Sequence, residues 1–210
     1  MKKMLRICLG ITLVEFIAAI AVWSFLPETI PTHWGISGEI DAYGSKWMIF
    51  LAPALSLGLT IGMYYLPKID PKGENITRSG RAYPTAMLLV NVIMVVVLTV
   101  TIIASLGFPV MVGKIIPAAI GVMFLFIGNY MPKIKPNYFF GIRLPWTLAD
   151  ESVWTKTHRL GGWVFLAIGL LFIGGIFLPS PFNFIMPMVS IGIGVGGIAV
   201  YSYAQYTKRN

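Results

Sequence analysis

Apolar residues in this chain do not alternate with polar ones; they gather into six runs of about twenty, divided by short polar stretches. A bilayer core of about 30 Å is crossed by roughly 20 helical residues, since no water there can serve backbone N–H and C=O groups left outside a helix. The pattern predicts transmembrane helices near 5–26, 47–66, 83–107, 114–131, 160–178 and 184–206. Proline closes most of them, at Pro27, Pro67, Pro109, Pro132 and Pro179. The expected fold class is an all-α integral membrane protein with six transmembrane helices.

Composition agrees, with 57% hydrophobic and 11% charged residues. Charge sets the expected orientation. Fourteen of the sixteen basic residues fall at the amino terminus, in the second and fourth connections and in the tail (Lys208, Arg209), leaving Lys46 and Lys114 for the alternate connections. By the positive-inside rule both termini are cytoplasmic, and the net charge of +8 is accounted for without direct nucleic-acid binding. The first run has a basic start like a signal peptide but is too long and lacks a small-x-small cleavage site, so it reads as a retained helix. The single cysteine, Cys8, excludes an internal disulfide and a Cys-based metal site.

Specific chemistry should lie in the polar connections. The first holds "LPETIPTHWG", whose two prolines favour an extended exit, followed by Gly38 and Gly44 at turn-permissive positions. His33, Glu39 and Asp41 are weak candidates for a metal site. A compact turn is the competing reading, in which Glu39 and Asp41 accept backbone hydrogen bonds while Trp34 and Trp47 sit at headgroup level, and an outward recognition surface is a third.

The fourth connection, 128–162, is denser. "NYFFGIRLPW" is aromatic but too short to span and suits a segment folded back at the interface. Thr147 with Asp150 three residues on predicts the N-cap of a helix running into the fifth span. Glu151, Trp154 and His158 fall at i, i+3 and i+7, and so could line one pocket. An interfacial helix anchored by Trp154, with Lys156 and Arg159 on lipid phosphate, uses the same residues. "YLPKIDP" (65–71) and "YMPKIKP" (130–136) echo one another, as parallel repeats or as two similar helix stops at a basic interface. Glu15 lies near mid-bilayer, where an acid must be protonated or paired; Asn91 is the expected partner, and proton relay is the sharper alternative. Without a paired nucleophile and base, H-E-x-x-H or a phosphate loop, an enzyme is not expected, and neither is a cofactor.

These motifs resemble the SdpI family, immunity proteins against a sporulation-delaying toxin. In the fourth connection the match is carried by Gly128, Asn129, Pro132, Lys133, Asn137, Gly141, Arg143, Pro145, Trp146, Thr147, Trp154, His158 and Arg159. In the first, Pro27, Pro31, His33, Trp34, Gly38 and Asp41 are similar to a companion domain of unknown function. The resemblance implies a bacterial plasma-membrane protein divided into an amino-terminal hairpin (1–66) and an SdpI-like four-helix region (83–206). It implies protection against a secreted peptide toxin and, in some members, capture of a cytoplasmic autorepressor, with membrane lipid as the surrounding partner. His33, Trp34 and Asp41 outside, and Asn129, Lys133, Asn137, Arg143, Trp146, Thr147, Glu151, Trp154, His158 and Arg159 inside, are the partner-binding candidates it suggests. A proton-coupled transporter or channel is the alternative function.

Overall fold

The computed structural model describes residues 1–208, so Arg209, counted above for orientation, lies outside the described residues. The helices are α1 (Lys2–Val22), α2 (Leu51–Ile69), α3 (Gly73–Arg78), α4 (Ala82–Ser105), α5 (Val112–Tyr130), α6 (Pro145–Ala149), α7 (Glu151–Gly175) and α8 (Phe182–Thr207). Six of them, counting flanking 3-10 turns, are long and apolar enough to cross a membrane: α1, α2, α4, α5, α7 and α8. The chain is a six-span, predominantly helical membrane protein.

Two expectations change. The first connection is a β-hairpin, β1 (Thr29–Trp34) against β2 (Ile40–Ser45), where a compact turn had been one expectation. Pro31 tolerates the strand because a two-stranded ribbon leaves half its backbone groups unpaired, and an irregularity between Pro31 and His33 sets Thr32 outside the register. The fifth span begins at Glu151, well before residue 160. Its N-cap is Asp150, which accepts from Ser152 N and Val153 N at 2.7 and 3.0 Å, whereas Thr147 sits inside the separate short helix α6. Asp150 wins because it is itself in extended conformation, the geometry a cap requires.

The spans form two groups. α1, α2 and α4 pack together, α5 and α8 pack on α7, and α4 also touches α5. The α5–α7 seam is built on glycine. A Cβ on Gly128 would lie 2.7 Å from Gly162 O, and one on Gly169 would lie 2.7 Å from Gly121 O. The two pairs, 128/162 and 121/169, are one heptad apart on antiparallel helices, so the backbones touch at both levels. By contrast, Gly192, Gly196 and Gly197 of the small-residue run in α8 face open space, and Gly194 meets the side chains of Val164 and Ile168.

At the basic end the two echoed helix stops are cross-linked. Asp70 accepts from Tyr138 N (2.9 Å), Asn75 donates to Pro136 O (2.8 Å), and Ser79 accepts from Lys135 N (2.9 Å). The echoes end differently, α2 running on to Ile69 while α5 stops at Tyr130 and enters a 3-10 turn, Met131–Lys133.

Gly169→Val should cost about 1–3 kcal/mol, because a branched side chain must push α5 and α7 apart. Gly196→Ala, in open space, should be neutral or stabilising. Thermal unfolding midpoints of the two variants in detergent test the contrast.

Candidate functional site

The segment 134–144 folds back over the first two turns of α7 and is tied down by the residues singled out in the sequence. Asn137, fully buried, uses all of its amide: Oδ1 accepts from Phe139 N (3.0 Å) and Phe140 N (2.6 Å), and Nδ2 donates to Lys135 O and Phe140 O, both at 2.8 Å. Trp154 Nε1 donates to Ile134 O at 2.8 Å. Thr147 accepts from Leu144 N at 2.8 Å and turns its hydroxyl towards Ile142 O at 2.9 Å. Trp146, half-buried, reaches across to α8 and donates to Ser202 Oγ at 2.6 Å.

His158 completes the clamp. Its ring stacks on Trp154, centroids 4.1 Å apart, with Nε2 3.0 Å from Ile142 N and Nδ1 2.9 Å from Trp154 O. An amide can only donate and a carbonyl only accept, so the proton sits on Nδ1 and the imidazole is neutral. Gly141 lies directly beneath the ring at φ +114°, where a Cβ would collide with Nε2.

The expected pocket of Glu151, Trp154 and His158 does not form. Trp154 and His158 are buried under 134–142, while Glu151 stands exposed in the first turn of α7, beyond the covering segment. Asn129, Lys133, Arg143 and Arg159 are also exposed at this end. Arg143 Nη1 donates to Tyr138 O at 2.8 Å, so its side chain braces the loop as well as charging it.

At the opposite end, His33 Nδ1 lies 2.6 Å from Asp41 Oδ1, both well exposed; such a surface pair contributes about 0–1 kcal/mol. Glu39 turns back over Gly35, and a hydrogen bond with Ser37 holds its carboxyl below the usual range. His33, Glu39 and Asp41 lie near one another but do not make a metal-ligating group, and no group of three such residues occurs among the described residues. The hairpin is rooted by Ile30, fully buried among Ala19, Leu26, Ile49 and Leu98, and by Lys46, which pairs with Glu28 at 2.7 Å. Trp47 packs against Trp23, ring centroids 4.6 Å apart and planes tilted by 53°. Trp34 lines a groove.

That groove, about 280 Å³ and mainly apolar, runs between the hairpin turn, the first turns of α5 and the start of α8; Trp34, Ile116, Phe172, Phe184 and Met188 are among its walls. Gly38 lets the hairpin turn close on the start of α5: at φ +85° its backbone lies against that of Gly113, with only 3.0 Å from a hypothetical Cβ to Gly113 N.

Within the spans, Asn91 does not pair with Glu15. It binds Thr12, Ser56 and Thr60, joining α1, α2 and α4, while both carboxylate oxygens of the buried Glu15 lack a hydrogen bond. Thr12 and Glu15 (i, i+3) and Ser56 and Thr60 (i, i+4) share helix faces, the spacing by which the cluster could have been found.

Residues 133–203, which include the clamp from Asn137 to His158, match the SdpI/YfhL protein family. Residues 10–57 match a domain of unknown function, DUF1648, which takes in Glu15, the hairpin and Ser56. Over its full 210 residues the chain is 26% identical to "Immunity protein SdpI" of Bacillus subtilis (strain 168), covering 99% of that protein. It is 37% identical over 54 residues, 26% of this chain and 30% of the other, to an uncharacterized protein of Archaeoglobus fulgidus. No solved structure matches.

Asn137→Ala removes four hydrogen bonds and should cost on the order of 2–4 kcal/mol locally, opening the segment around Lys135. Trypsin cleavage there in detergent should be roughly 30–1000-fold faster than in the wild type.

Proposed function

We propose that this protein is a bacterial plasma-membrane immunity protein that protects its cell by binding a secreted, membrane-active peptide of the sporulation-delaying kind, without catalysis. The observation that carries the proposal is the end-to-end similarity to Immunity protein SdpI, spanning the hairpin and the clamp alike. The orientation that suits it puts the hairpin outside and both termini in the cytoplasm, as the distribution of Lys and Arg favours.

In this reading the toxin meets the groove beside the hairpin. The groove opens at the outer interface, is lined by aromatic and aliphatic side chains, and carries the His33–Asp41 pair at its rim, which suits an apolar peptide with a polar edge. The buried motif residues Asn137, Thr147, Trp154 and His158 act by shaping the inner loop, and direct contact with a cytoplasmic partner falls to exposed Asn129, Lys133, Arg143, Glu151 and Arg159. Capture of a repressor would use that surface. Because Arg143 also braces the loop, Arg159→Glu is the cleaner probe of capture, and it should release a fluorescently tagged repressor from the membrane.

Expression in toxin-sensitive cells should give survival under the sporulation-delaying peptide. Met188→Trp, which fills the groove from an exposed position, should abolish protection at unchanged membrane level. Survival of the variant would remove the groove from the mechanism, and death with the wild type present in the membrane would refute immunity to this peptide.

A further inference from the structure

Three spans meet in a knot of oxygen atoms. Asn91 Oδ1 lies 3.0 Å from Ser56 Oγ, 3.2 Å from Thr60 Oγ1 and 3.4 Å from Thr12 Oγ1, and the Thr12 and Ser56 hydroxyls are 3.0 Å apart. Thr12, Ser56, Thr60 and Asn91 are all at least 98% buried. One turn along α1 from Thr12, the Glu15 carboxyl, 2% exposed, lies beside Ser56 without a well-formed hydrogen bond to either oxygen.

The protons of the knot balance, but the carboxylate is left out. The amide protons of Asn91 go to Met87 O and Thr60 Oγ1, at 2.9 Å each. With Thr12 donating to Ser56, the Ser56 and Thr60 hydroxyls fill the two lone pairs of the Asn91 amide oxygen, and the two carboxylate oxygens of Glu15 beside them receive nothing. Unserved oxygens in a low-dielectric interior are costly, and an uncompensated carboxylate more so. One positive charge shared between that carboxylate and the hydroxyl and amide oxygens beside it removes the deficit. Oxygens sharing a hard cation at about 2.3–2.6 Å stand roughly 3–3.7 Å from one another, a range that takes in the spacing seen here.

We propose that Glu15, Thr12, Ser56, Thr60 and Asn91 form an intramembrane site for a single small alkali cation, sodium in size and charge. One carboxylate matches one positive charge; a divalent ion would leave an excess charge in hydrocarbon. All five ligands are hard oxygen donors, which disfavours soft transition metals. The bound ion draws α1, α2 and α4 together. The site does not depend on the immunity reading, since it uses none of the groove or clamp residues.

The test uses the full chain purified in detergent at constant ionic strength, with sodium chloride exchanged for choline or potassium chloride. Sodium should raise the thermal midpoint saturably, by about 5–10 °C at a hundredfold excess over Kd. Glu15→Gln, nearly isosteric, and Thr60→Val should each flatten the response. Identical wild-type midpoints in the three salts would overturn the proposal and leave Glu15 simply protonated. A sodium response that survives in Glu15→Gln would overturn it too, by placing the ion elsewhere.

Discussion

The contact on which the rest of the molecule depends is the backbone-to-backbone meeting of α5 and α7. In a bilayer, helices gain little from excluding lipid, which is as apolar as they are, so association rests on close packing. Gly121 and Gly128 facing Gly169 and Gly162 remove the side chains that would hold the axes apart. With the lower pair touching, the chain leaving α5 emerges beside the start of α7, and the segment 134–144 has no course except back over that helix. A segment so confined must find partners for its own N–H and C=O groups, and Asn137, Thr147, Trp154 and His158 supply them.

The residue pattern of the fourth connection thus encodes a shape. Polar and aromatic residues in a basic loop invite a reading as ligand contacts, yet the buried ones are fully occupied in holding backbone. What remains available is the outer shell of that shape, exposed Lys133, Arg143, Glu151 and Arg159. The hairpin end divides its labour similarly: Gly38 and Ile30 fix the ribbon, and the apolar groove between it and α8 is the free surface.

Much of the fold was legible in the sequence because membrane spanning imposes one dominant constraint, a run of about twenty apolar residues, that needs no knowledge of neighbours. All six spans follow from it. The hairpin was not legible, since β1 and β2 are short, Gly- and Pro-broken, and stabilised mainly by Ile30 reaching into the bundle, a long-range contact. The cap of α7 was misplaced because Thr147 and Asp150 are both sound N-cap residues, and only the turn of α6 between them decides. Glu15 was visible as an anomaly, but its surroundings depend on the rotation of α1 against α2 and α4, and spacing within one helix does not fix that. The partners of Asp70, Asn75 and Ser79 are backbone atoms, which carry no signature in side-chain identity.

Those last three contacts also bear on biogenesis. Each joins a side chain from the connection between α2 and α4 to a main-chain group between 135 and 138, made some sixty residues later. During synthesis the amino-terminal three spans are complete while Asp70, Asn75 and Ser79 still face water at the membrane surface. Only when α5 has inserted and residue 138 has left the ribosome can the two halves be joined there. The amino-terminal half thus waits in the bilayer with its docking groups solvated, and later sequence can change at positions 135, 136 and 138 without losing the join, provided Lys135 and Tyr138 are not replaced by proline.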